Sequence, residues 1–177
     1  MARTEIERTV LPSVLDRLTD HDPRLPDDPP VTRAESVRRF RDAVMRDVEW
    51  LLNTRAPHAP IPAGLVGVRR SAYAYGLPDT TGLVGGAQEA RAELFGWVRA
   101  TIAAFEPRLA DVQIELVGGG DATTPEVRFT LSALLCMDPS PEQVVFDTVL
   151  DPVNGSHTVR PAEVARPAAG PGGGARA

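Results

Sequence analysis

The stretch AAFEPRLADVQIEL, residues 103–116, contains the point at which a helical pattern gives way to a strand pattern. Pro107 must end the helix, because proline lacks an amide proton and disfavours a helical residue before it. Beyond it, Val112, Ile114 and Leu116 alternate with polar residues, which is the period of a half-buried strand. Helices therefore precede strands, and this order predicts an α+β fold with two main helices on one face of a small, mostly antiparallel (mixed) sheet.

Two long helices are predicted, at residues 32–55 and 87–106. The first opens with Thr32 and Glu35, the spacing of a capping box, in which each side chain accepts from the other's backbone amide. Apolar residues recur at helical spacing in both segments. They are Val37, Phe40, Val44, Val48, Leu51 and Leu52 in the first, and Leu94, Val98, Ile102 and Phe105 in the second.

The sheet is predicted to come from residues 111–160, where three runs alternate between apolar and polar residues. These runs are DVQIELVG, EVRFTLSALL and VVFDTVL, and SHTVR follows them. Gly118 to Asp121 supplies a turn between the first two runs. Asn154-Gly155 is typical of a two-residue hairpin leading into the last strand.

The two ends of the chain differ in composition from this central domain at 32–160. Residues 1–31 are rich in Asp and Pro, which predicts a flexible arm. Within the arm, Leu11, Val14, Leu15 and Leu18 fall on one face of a short helix, which suits either a docking peptide or a packed terminal turn. Residues 161–177 are almost entirely Pro, Gly and Ala, which predicts a disordered tail.

Charge and composition restrict the class of protein. The net charge is −5, which argues against a general nucleic-acid binder. The start of the chain has no apolar signal region, and no run of 18 apolar residues could span a membrane. Cys136 is the one cysteine and stands in an apolar run, so it is interpreted as a small core residue in a reducing compartment. These features favour a cytoplasmic protein.

Candidate catalytic groups are few. The three histidines, His21, His58 and His157, lie far apart in the sequence, so neither a metal centre nor a cofactor is expected. A glycosidase would need two carboxyl groups, one with a raised pKa, and Glu106 could form such a pair with Asp79 or Asp111. Because the nearby cation of Arg108 would instead lower the pKa of Glu106, an enzyme is not expected.

The tripeptide Glu106-Pro107-Arg108 suits recognition better than catalysis. Pro107 fixes the backbone at the end of the helix, so Glu106 and Arg108 would project from a rigid corner. The guanidinium offers a planar fork of donors and the carboxylate a pair of acceptors, which together could hold a partner in one register. The alternative is a helix terminus with two solvated charges that contribute little.

Several segments resemble the type VI secretion baseplate subunit TssE, in the order and spacing of that family. The family is also labelled lysozyme-like, and it belongs with the wedge proteins of contractile phage tails that start sheath assembly. The segments are PSVLDRL at 12–18, RDVEWLLNTR at 46–55, SAYAYGLPD at 71–79, FEPRL at 105–109 followed by VQIEL, and FDTVLD at 146–151.

The resemblance implies a structural protein without cofactors. Its partners would be TssF-like and TssG-like wedge subunits and TssB/TssC-like sheath subunits, in a cytoplasmic baseplate docked at the inner membrane. The strands at 112–117 and 144–160 would be candidates to pair with sheath strands. A phage-tail baseplate protein and a peptidoglycan hydrolase are the alternatives. The implied wedge contacts are Glu106, Pro107 and Arg108; the implied supporting loop is Tyr75, Gly76, Leu77, Pro78 and Asp79; and the implied docking residues of the arm are Val14, Leu15 and Leu18.

Overall fold

The computed structural model describes residues 9–20, 23–25, 30–57, 59–80, 88–117 and 126–162. The predicted turn at 118–121 and the predicted disorder of the tail beyond residue 162 lie outside these residues. So do His21, His58 and parts of the Asp- and Pro-rich arm.

Two long helices form, as predicted, with bounds within two residues of those expected. Helix α2 begins after Thr32, whose side chain accepts a hydrogen bond from the Glu35 amide, so one half of the expected capping box is present. The other half is not, because the Glu35 carboxylate accepts hydrogen bonds from Arg38 and Arg39 instead. Helix α4 ends one residue before Glu106. The helical segments in chain order are α1 Val14–Leu18, α2 Arg33–Asn53, α3 Val66–Arg69, a 3₁₀ turn Ala72–Ala74, and α4 Gln88–Phe105.

A four-stranded sheet completes the fold. The strands are β1 Leu109–Leu116, β2 Val127–Leu135, β3 Glu142–Asp151 and β4 Ser156–Pro161. Their order in the sheet is β1-β2-β3-β4, and each neighbouring pair is antiparallel. The α+β prediction is therefore confirmed. The predicted sheet was mostly antiparallel, and all pairs among the four described strands are antiparallel.

The core lies between the helices and one face of the sheet. Alternate residues of β2 and β3 face inward, because successive side chains of a strand point to opposite faces. Helix α2 packs mainly along β4, and α4 packs along β1. The fully buried side chains are Val44, Val48, Leu51, Val98, Ile102, Phe129, Leu131, Leu135, Thr148 and Leu150.

Two local predictions were wrong. The β3–β4 hairpin closes on the pair Asp151 and Ser156, which leaves a four-residue loop instead of a two-residue turn at Asn154-Gly155. The carboxylate of Asp151 accepts hydrogen bonds from the Val153 amide and the Asn154 side chain, which stabilises the wider loop. Cys136 is exposed, because it follows the inward-facing Leu135 and an apolar run on a strand buries only alternate residues.

The connection between α2 and α4 is tied to the end of α2. The Ala56 amide donates to the Leu77 carbonyl, and the Leu77 amide donates to the Thr54 carbonyl, each at 2.8 Å. Leu77 is thereby buried in the core. Gly76 adopts φ +114° at this contact, a conformation that residues with a Cβ rarely adopt.

A Gly76→Ala substitution should lower the free energy of unfolding by more than about 2 kcal/mol, through both backbone strain and overlap. An added Cβ would lie 2.7 Å from the Thr54 carbonyl carbon. Chemical denaturation measures the loss. Gly96→Ala is the control, because its Cβ would meet no atom within 4 Å in helix α4 and should stabilise by up to about 1 kcal/mol. Equal effects of the two substitutions would contradict this account of the connection.

Candidate functional site

The corner between α4 and β1 is built around a buried carboxylate. Glu106 follows the last residue of α4, its amide donates to the Ile102 carbonyl, and its side chain is almost fully buried, with the residue 4% exposed. The Arg108 guanidinium donates to both carboxylate oxygens of Glu106, with Nε 2.6 Å from Oε1 and Nη2 on Oε2. Pro107 allows this return contact, because it stops the helix and turns the chain between the two charges.

A second acid, from α2, completes the pairing of Arg108. Nη2 of Arg108 also donates to Oδ2 of Asp47 at 2.7 Å. The hydrogen bonds to Glu106 and then to Asp47 raise the pKa of Arg108 above its usual range, although burial opposes them. The guanidinium also lies 5.8 Å from the centre of the Phe40 ring. One cation therefore joins α2 to the start of β1.

The corner differs from both interpretations of the tripeptide. The prediction that both charges project was wrong for Glu106, which is buried against Arg108, and the alternative of two solvated charges was wrong for the same reason. Pro107 is exposed and the Arg108 side chain is 22% exposed. A partner contact at Pro107 and Arg108 stays a prediction. Glu106 accepts hydrogen bonds from the Arg108 guanidinium on its buried side and so holds that side chain in position.

The charge pairing continues from Asp47 to the N-terminal helix. Arg46 donates to Asp47 Oδ1 and lies 2.8 Å from Asp16 Oδ1 on α1. Burial would raise the pKa of Asp16, but the hydrogen bonds from Ser13 and Arg46 outweigh it and lower that pKa. Arg46 also lies over the exposed Trp50 ring, 4.9 Å from its centre. We call the series Asp16, Arg46, Asp47, Arg108 and Glu106 the ionic chain.

Helix α1 is held on its polar side and presents its apolar side outward. Besides the bridge to Arg46, the Val10 amide donates to Ser36 Oγ of α2 at 3.1 Å. Val14 and Leu18 are 70% and 79% exposed, and Leu15 is also exposed. The packed-turn interpretation is therefore wrong for the three apolar side chains of α1, none of which is buried by the described part of the chain.

The loop at Tyr75 to Asp79 lies beside the ionic chain. The Tyr75 ring packs edge-on against Phe105 at 5.4 Å. Burial, followed by the negative charges of Asp47 and Glu106, raises the pKa of Tyr75. Asp79 pairs with Arg55 just beyond α2, at 2.8 Å. The supporting role expected of this loop stays a prediction.

One side of the β1 strand has no backbone partner among the residues that the structure describes. The Val117 amide donates to the Arg128 carbonyl, so residues 113, 115 and 117 face β2 and the backbone groups of Val112, Ile114 and Leu116 face away from it. No hydrogen bond from another described segment reaches those outward groups. Within the predicted range 144–160, β3 is an interior strand with both sides paired, so β1 and β4 are the edges among the four strands that the structure describes.

His157 is a buried histidine with an unusual environment. It is 3% exposed, its ring lies edge-on to Phe129, and neither ring nitrogen has a hydrogen-bond partner in the described structure. Burial lowers the pKa of His157 to about 4. Sequence reasoning considered this residue only as a metal ligand; in the described residues no group of three His, Cys, Asp or Glu side chains could hold a metal ion.

Residues 38–140 match the family model described as baseplate wedge protein gp25. The match spans more than half of the chain and includes most of α2, the Tyr75 loop, the charged corner and β1.

The chain belongs to the baseplate wedge protein gp25 family. A structural role in a baseplate, among other baseplate subunits, follows from this membership. The resemblance deduced from the sequence motifs is thus confirmed at the level of the wedge family.

A solved structure described as "The baseplate complex from the type VI secretion system" is similar, with 16% sequence identity and a TM-score of 0.45. The alignment covers 63% of this chain and 94% of that chain. No curated protein matches significantly. Separately, none of the helices that the structure describes is long and apolar enough to cross a membrane.

Substituting Arg108 tests whether the wedge protein depends on this cation for stability. Arg108→Met should lower the free energy of unfolding by about 3–5 kcal/mol, because it leaves Glu106 buried without its partner. Arg128→Met is the control and should cost less than about 1 kcal/mol, because Arg128 is 64% exposed where it pairs with Glu126. Denaturant titration measures both. The corner would not depend on Arg108 if the two losses were equal, or if adding Glu106→Gln to Arg108→Met recovered no stability.

The buried His157 predicts a pH dependence of stability. Its pKa is lower in the folded protein than the ordinary value of 6.5, so protonation favours the unfolded chain. This contribution should be absent above about pH 7 and should reduce stability progressively between about pH 6.5 and pH 4, reaching about 3 kcal/mol. His157→Leu removes it, so the difference between wild-type and variant unfolding curves should vary over this range. Parallel curves would contradict the assignment.

Proposed function

We propose that this wedge protein is a structural component of a type VI secretion baseplate, where it joins the wedge core to the first sheath ring and templates the sheath by strand pairing. The observation that carries the proposal is the unpartnered side of β1. Membership of the wedge family supports the baseplate role, and the YGLPD and EPR motifs favour the type VI branch of contractile systems.

The open side of β1 is unusual for a sheet edge. Exposed backbone donors and acceptors invite pairing with other chains, so native proteins normally blunt or cover them. Recognition by strand addition needs the opposite, an edge left available. β1 also follows directly from the rigid corner at Arg108, so the position of the edge is determined by the same ion pairs that join α2 to α4.

The wedge side of the protein is proposed to be α1 together with the charged corner. Val14, Leu15 and Leu18 present an apolar face that would dock on TssF-like or TssG-like subunits, and burial of one such side chain contributes about 1.5–3 kcal/mol. Pro107 and the exposed part of Arg108 would form a second contact. The ionic chain runs between these two surfaces, so both would be held in a constant relation to each other.

Two alternatives remain distinguishable from this proposal. A wedge protein of a contractile phage tail would share the fold and differ in its partners, and neighbouring genes for capsid proteins would favour it. A peptidoglycan hydrolase needs a carboxylic acid that donates a proton. Both carboxylate oxygens of Glu106 instead accept hydrogen bonds from Arg108, which suits a structural ion pair.

Docking through α1 can be tested by purification with the wedge subunits encoded beside this chain. Leu18→Asp should abolish or strongly reduce recovery of the TssF-like and TssG-like subunits, because it places a charge in an apolar contact. The variant should fold normally, since Leu18 is 79% exposed.

Val153→Asp is the matched control. Val153 is similarly exposed but lies in the β3–β4 loop, so the same change of charge should leave recovery unaffected. Circular dichroism and thermal unfolding establish that both variants are folded. If folded Leu18→Asp protein recovers the wedge subunits as well as Val153→Asp does, the docking role of α1 is excluded.

A further inference from the structure

The two edge strands of the sheet, β1 and β4, differ in whether side chains of α2 bond to their outward backbone groups. At β4, the Asn53 side chain of α2 accepts from the His157 amide and donates to the His157 carbonyl, each at 2.8 Å. Glu49, one helical turn earlier, accepts from the Val159 amide at 3.3 Å. Pro161, the last residue of β4, has no amide proton.

These contacts occupy the side of β4 that another strand would need. The Ala162 amide donates to the Val145 carbonyl, so residues 156, 158 and 160 face β3 and the outward residues are His157, Val159 and Pro161. Of the outward amides of β4, two are bonded to α2 and the third does not exist. Side-chain capping and an edge proline are recognised means of preventing strand addition.

The outward groups of β1 have no comparable cover in the described structure. Val112 and Ile114 pack against the core, and Leu116, at the end of the same row, is 42% exposed. An incoming strand would therefore place apolar side chains beside this row and extend the core. The residues of an added strand that alternate with these would lie on the opposite, solvent-facing side of the sheet.

Charge on the solvent-facing side indicates what those alternate residues should be. Glu115 lies in a row across the sheet with Thr130, Asp147 and Arg160. At the β4 end of the row, Arg160 lies beside Asp147. At the β1 end, Glu115 is exposed and has no ion-pair partner among the described residues, and its neighbour on β2 is the uncharged Thr130. A basic residue on the incoming strand would complete the row.

We propose that the sheet accepts a partner strand at β1 alone, and that this strand alternates apolar residues with polar ones and places Lys or Arg beside Glu115. The proposal rests on the proposed sheath-joining function and adds the edge, the direction of growth and the chemistry of the strand. Because α2 seals β4, the protein ends the sheet on that side. A second copy therefore cannot continue the sheet by pairing its β1 with β4.

Hydrogen exchange locates the pairing without any substitution. The wild-type chain is bound to the sheath subunit pair from the same gene cluster, and exchange is compared with that of the chain alone. The outward amides of Val112, Ile114 and Leu116 should become protected at least about tenfold, whereas the amides of residues 156–161 should not change. Protection at 156–161 without protection at 112–117 would overturn the proposal.

Matched substitutions test the strand edge and the charge separately. Leu116→Pro removes an outward amide and should weaken sheath-subunit binding about tenfold relative to Leu116→Ala, which keeps the amide. Glu115→Lys should weaken binding about fivefold. Asp42→Lys, the same change of charge at an exposed position on α2, should not. Equal affinities of Leu116→Pro and Leu116→Ala would contradict strand pairing at β1. Equal affinities of Glu115→Lys and Asp42→Lys would contradict the preference for a basic residue beside Glu115.

The outcomes separate this inference from the function on which it rests. If the wild-type chain binds sheath subunits but protection appears at β4 or elsewhere, the sheath-joining function stands and the one-sided edge fails. If the wild-type chain binds the wedge subunits and shows no binding to sheath subunits, both the sheath-joining function and this inference are excluded. Protection confined to β1, with both matched effects present, supports both.

Discussion

The fold depends on one cation, Arg108, placed between a buried acid of its own corner and an acid of the neighbouring helix. Glu106 is buried against this cation, and a buried acid that loses its partner is strongly unfavourable. By also pairing with Asp47, Arg108 joins α2 to the junction of α4 and β1. Replacing a whole buried network with apolar groups is often neutral or stabilising, so we infer that this network serves to fix one arrangement of the elements.

Helix α2 links the surfaces proposed to meet other subunits. Its residues Arg46 and Asp47 connect the N-terminal helix to the corner, and its next two turns supply Glu49 and Asn53, which cover β4. The same helix therefore holds the N-terminal helix, positions the start of β1 and covers the outward side of β4. Such an arrangement would suit the proposed task, in which the protein joins a wedge to the first sheath ring.

The sequence predicted those features that arise from local periodicity and local backbone chemistry. The helical spacing around Val44 and Val98, the cap at Thr32 and the stop at Pro107 identified both long helices. The alternation at 112–116 and 127–135 identified strands. Together these patterns sufficed for the fold class and for recognising the charged corner as special.

Long-range pairing could not be read in the same way. Nothing in the spacing indicated that Arg108 would meet Asp47, 61 residues earlier in the chain, or that Asn53 would bind the backbone at His157. The free side of a sheet depends on strand order, which residue patterns leave open. Cys136 was misplaced because an apolar run does not show which of its alternate residues face inward.

A cryo-EM map of an assembled baseplate with its first sheath ring tests the central claim most directly. The account predicts a strand from a sheath subunit beside β1, about 4.8 Å from it, with the β4 edge still covered by Asn53 and Glu49. It also predicts a basic side chain of that strand next to Glu115. A sheath strand paired with β4, or a sheath ring that contacts this protein through side chains alone, would contradict it.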